Sequence, residues 1–70
     1  MKLKELMRRL DKGSPYFWAR TNGIGYRLVN ALTLKTAMGT ENRLDALRIT
    51  RALQNAGYQV AKMEERMGAE

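Results

Sequence analysis

The spacing of apolar residues changes period along this 70-residue chain, and each change marks an expected element. Leu3, Leu6, Met7 and Leu10 stand at i, i+3, i+4 and i+7, the single apolar stripe of a helix, with Lys2, Lys4, Glu5, Arg8 and Arg9 around the rest of the circumference. This predicts an amphipathic helix over residues 2–10, which Asp11-Lys12-Gly13 ends, Gly13 supplying a left-handed stop. Ser14-Pro15 suits a helix start or an extended segment. Tyr16-Phe17-Trp18-Ala19-Arg20 holds three of the five aromatics and favours a short strand. Thr21-Asn22-Gly23 then offers a turn and a cap, and Ile24, Leu28, Ala31 and Leu32 return to helical spacing, predicting a second helix over residues 24–34. Residues 35–39 read as a connector.

The stretch 40–62 is the one around which the rest is organised. Gly39-Thr40, Glu41 and Asp45 mark a helix start, about four turns follow, and Asn55-Ala56-Gly57 stops them. Tyr58-Gln59-Val60-Ala61-Lys62 then alternates as a strand with one buried face. On a helical wheel Ala46, Ile49, Ala52, Leu53 and Ala56 share an inward arc, while Arg43, Arg48, Thr50, Arg51, Gln54 and Asn55 occupy the other side. Leu44 and Leu47 fall within that polar arc.

The order helix, short strand, helix, connector, helix, strand is that of a winged helix-turn-helix. The expected fold class is mainly α with a small β element, one domain over residues 1–70, with an all-α three-helix domain as the alternative. Residues 61–67 are expected to form either a truncated wing or a final helical turn. Phe17 and Trp18 are read as the bulky core of a domain short of large side chains, in preference to bases stacking on them beside Arg20.

Charge adds a partner class. Thirteen Lys and Arg against seven Asp and Glu leave a net charge of +6, which draws nucleic acid or an acidic protein surface. With no cysteine and no histidine, disulfides, thiolate chemistry, zinc fingers and histidine acid–base catalysis are excluded. Asp11, Glu41, Asp45, Glu64 and Glu65 lack the spacing of a carboxylate or metal site, so no enzyme activity, metal or cofactor is expected. Gly23-Ile24-Gly25 lacks the third glycine and following acidic residue of a dinucleotide site and reads as a tight turn. No apolar run approaches a membrane span and no secretory signal opens the chain, so a cytoplasmic location is expected.

Leu28-Val29-Asn30-Ala31-Leu32, followed by a polar spacer and then residues 43–58, resembles the C-terminal winged-helix segment of phage- and plasmid-type primase-helicases of the virulence-associated E group. The likeness spans residues 26–62 and rests on an "RI-x-RAL-x-x-x-G-[WY]" pattern, here Arg48-Ile49-Thr50-Arg51-Ala52-Leu53 through Gly57-Tyr58. It implies a winged-helix fold and a mobile-element origin. In those proteins basic residues follow the aromatic, where this chain has Gln59-Val60.

Two functions are expected from these readings. The first is a non-enzymatic, DNA-binding regulator or replication accessory of phage or plasmid type. Its third helix would lie in the major groove of double-stranded DNA, with Arg43, Arg48, Arg51, Gln54 and Asn55 as contacts and Lys35, Thr36 and Lys62 adding phosphate contacts. The alternative is a protein–protein interaction module, an inhibitor or adaptor of a host or replication protein, using Leu44 and Leu47 within an arginine rim. A homodimer is compatible with both.

Overall fold

In the middle of the chain, alternation of period two prevails over the helical spacing. The computed structural model describes residues 3–21 and 25–61. Its elements are α1 (Leu3–Arg9), β1 (Pro15–Arg20), β2 (Tyr26–Asn30), β3 (Thr36–Thr40), α2 (Arg43–Asn55) and β4 (Gln59–Val60). The strands make one mixed sheet in the order β3-β2-β1-β4, antiparallel except for the parallel pair of β1 with β4. This is a small α/β domain. Both the winged helix-turn-helix, mainly α, and the all-α three-helix alternative are therefore wrong for this chain.

The difference lies in residues 25–40. Leu28, Ala31 and Leu32 fit a helix, but Tyr26, Leu28 and Asn30 fit a strand equally well, and Tyr26 and Val29 favour one. Tertiary pairing decides between them. Leu28 lies opposite Trp18 on β1 and opposite Met38 on β3, and it is completely buried there. Residues 36–40, expected as part of a connector and the start of the last helix, instead form β3, whose ladder to β2 pairs backbone groups that a loop leaves to water. Gly25 closes the β1–β2 connection: the Thr21 amide donates to its carbonyl at 2.9 Å. A Cβ there would stand 2.6 Å from Thr21 Oγ1, so a side chain at this position would require Thr21 to turn aside.

Both helices cover one face of the sheet. Leu6 and Leu10 from the α1 side, Ala46 and Leu53 from α2, and Tyr16, Trp18, Tyr26, Leu28 and Val60 from the strands form a single buried cluster. Neighbours in the β1–β2 ladder explain why Phe17 stays outside it: Phe17 pairs with Val29 and points to the opposite face. Of the two aromatics expected in the core, only Trp18 belongs to it. Tyr58 donates its hydroxyl to the Met7 carbonyl at 3.0 Å and so ties the end of α2 to α1.

The last helix forms where the sequence places it, with a different cap. Asn42, rather than Thr40, is the N-cap, its Oδ1 accepting from the amides of Leu44 at 2.8 Å and Asp45 at 3.3 Å. At the other end the Gly57 amide donates to Gln54 O and the Tyr58 amide to Leu53 O, the paired bonds of a Schellman stop, with Gly57 at φ +93°. Ala46 and Leu53 are buried as expected, but so is Thr50. A sheet buries a wider arc of a helix than one facing helix would, and Thr50 lies at its margin. There its Oγ1 accepts from Trp18 Nε1 at 2.6 Å and donates to the Ala46 carbonyl at 2.8 Å.

The β2–β3 connection is built on Asn30. Its Oδ1 accepts from the amides of Leu32 at 2.8 Å and Thr33 at 3.2 Å, its carbonyl accepts from the Leu34 amide at 2.7 Å, and its own amide donates to Lys35 O at 3.0 Å. Asn30 Nδ2 donates to the buried Tyr16 hydroxyl at 3.3 Å, which anchors the turn to the core. Leu34 adopts φ 62°, a left-handed conformation that costs a leucine on the order of 1 kcal/mol.

Candidate nucleic-acid interface

The expected contact residues separate into three groups once the fold is in place. Arg48, Arg51 and Asn55 are exposed, and with Leu44 they follow one another along the outward face of α2 at intervals of four, three and four residues. Lys35 and Thr36 are exposed at the start of β3. Arg43 is half-buried in the first turn of α2. Gln54 is committed elsewhere, since its Nε2 donates to the Val60 carbonyl at 2.8 Å and holds β4 against the helix. Lys62 lies outside the described residues, as do Asn22, Gly23, Ile24 and all but Ala61 of the segment expected as a wing or final turn.

Two adjoining hollows beside β3 bring the first two groups towards each other. One, of about 550 Å³, is lined by Ala37, Met38, Gly39 and Thr40 of β3, Asp45, Arg48 and Ile49 of α2, and Arg9 of α1. The other, of about 530 Å³, has Arg9 again, with Thr33, Lys35 and Thr36 among its walls. Arg9 and Ala37 line both, and Arg9, the charged one of the two, joins Lys35 and Arg48 into one cationic row along the sheet edge. Sequence spacing gave no sign of Arg9, because the proximity of α1 to β3 is set by the sheet order and not by local pattern.

The acidic groups near the row are weak competitors. Asp45 Oδ1 stands 3.9 Å from Arg48 Nη1 with both side chains largely in water, a pair of little energetic consequence. Asp11, on the wall of the second hollow, accepts from Ser14 Oγ at 2.7 Å and from the Gly13 amide at 3.0 Å. These bonds, the serine hydroxyl foremost, hold its carboxyl below the ordinary value of 3.8, so it is a charge already occupied by local donors. Lys12, across the helix end, lies 5.6 Å from the Tyr58 ring centre and does not join the row.

The leucine pair of the alternative reading is divided. Leu47 packs against the core and is half-buried, whereas Leu44 is 61 % exposed between the arginines of the outward face. Among the described residues no three His, Cys, Asp or Glu side chains converge as a metal site would require, and no helix is long and apolar enough to cross a membrane.

Comparison with known protein families, with curated proteins and with solved structures finds no match for this chain. The fold implied by the resemblance to the primase-helicase segment is not the fold present, for Leu28-Val29-Asn30 lies on strand β2 and not on a helix.

Proposed function

We propose that the protein binds double-stranded DNA without catalysing a reaction, laying the outward face of α2 in the major groove. The observation that carries this reading is the continuity of exposed cations: Arg51 and Arg48 on α2, then Arg9 and Lys35 beside β3. Arg48, Arg51 and Asn55 have the donor groups that read base edges or phosphates, and Leu44 offers an apolar contact for a thymine methyl. Arg9 and Lys35 hold the flanking phosphates, and Thr36 adds a hydroxyl donor. A regulatory or replication-accessory role fits a binder of this size with a net charge of +6.

Four phosphate contacts set a quantitative expectation. Each neutralised phosphate contributes about −0.9 to the slope of log K against log salt, giving a slope near −3.6 for the wild type. Fluorescence anisotropy of a labelled duplex, titrated across a salt series, measures it. Arg48→Ala with Arg51→Ala should flatten the slope by about two units. An unchanged slope together with an unchanged affinity in that double variant would exclude α2 from the interface.

A further inference from the structure

We propose that the β2–β3 tip is an apolar wedge that enters the minor groove and opens a base step of the duplex held by α2; the proposal rests on the duplex-binding reading above. Leu32 and Leu34 are 70 % and 71 % exposed at this tip, the two most exposed large apolar side chains among the described residues. A turn selected only to connect two strands would place glycine or asparagine at the left-handed position, yet Leu34 stands there at φ 62°. The side chain therefore stands there against the preference of the backbone. Nor is the tip a loose loop, since Asn30 collects three of its amides and is itself bonded to the buried Tyr16 hydroxyl. The leucines are held out on a rigid arch.

Charge selects the partner. Behind the tip lies the hollow lined by Arg9, Thr33, Lys35 and Thr36, two cations and two hydroxyls where the phosphates flanking an opened step would sit. The Asp11 carboxylate on the same wall is turned to Ser14 and Gly13. An apolar protein pocket would account for the leucines but not for the cations behind them. Rigid apolar side chains backed by cations are what wedge proteins use to kink DNA by about 20–90°.

The test uses the full chain and a short duplex with a central TA step, carrying donor and acceptor dyes at its two ends, read by anisotropy for binding and by energy transfer for bending. Wild type should raise the transfer efficiency at saturation. The Leu32→Ser/Leu34→Asn variant should still saturate the duplex while losing that rise, and its Tm should not fall, because asparagine tolerates the left-handed conformation. Equal bending by wild type and variant, or wild-type binding without bending, overturns the wedge and leaves the duplex reading standing. No duplex binding by wild type removes both. Leucine-dependent capture on phosphatidylserine vesicles with no bending of DNA would overturn the wedge in favour of a lipid surface.

Discussion

Thr50→Val tests how the sheet and α2 are locked together. Thr50 and Trp18 are 5 % and 4 % exposed, so water cannot replace the bond from Trp18 Nε1 to Thr50 Oγ1. Valine keeps the shape of threonine and removes the acceptor, leaving a buried indole N–H without a partner at a cost of about 1–3 kcal/mol. The second bond of Thr50, to the Ala46 carbonyl, matters less, because that oxygen lies within the helical ladder. A domain of this length holds about 4–10 kcal/mol in total, so the change should lower Tm by roughly 4–24 °C. The assay is urea unfolding followed by far-ultraviolet circular dichroism, performed in the wild type and again with Trp18→Phe. Phenylalanine has no N–H to strand, so in that background Thr50→Val should cost almost nothing. The same loss in both backgrounds would refute the reasoning and assign the effect of valine to packing alone.

Two further substitutions address the groups around the interface. Gln54→Ala should cost about 0.5–1.5 kcal/mol and reduce hydrogen-exchange protection of the Ala61 amide, which donates to Tyr16 O at 2.9 Å, while leaving DNA affinity unchanged; a selective loss of affinity would restore Gln54 as a contact. Asp11 carries a depressed folded-state pKa, so its contribution is present above the ordinary value of 3.8 and lost as pH falls through the lower folded value. Ser14→Ala, which removes the larger cause, should raise the Asp11 titration seen by NMR towards 3.8; an unmoved titration would place the cause elsewhere.

Those elements whose signals are local were legible in the chain. The stripe Leu3, Leu6, Met7, Leu10 gave α1, Gly57 and the residues before it gave the end of α2, and the aromatic run gave β1. What failed was the segment whose local signals conflict. Leu28 serves a helical and a strand period at once, and only its neighbours Trp18 and Met38, ten residues away on either side, resolve it. The candidate site divides in the same way. Arg48, Arg51 and Asn55 follow from helix geometry, whereas the diversion of Gln54 to Val60, the burial of Thr50 under Trp18 and the arrival of Arg9 beside Lys35 depend on tertiary contacts.

The most direct test of the duplex-binding claim is an amide and side-chain NMR map recorded while the full chain is titrated with a short duplex. Perturbations are expected at Leu44, Arg48, Arg51 and Asn55, at Arg9, and along residues 32–36, with Phe17, Ala19 and Gln59 unmoved. Shifts confined to Phe17, Ala19 and Gln59, or none at low salt, would contradict the account and remove α2 from the site of binding.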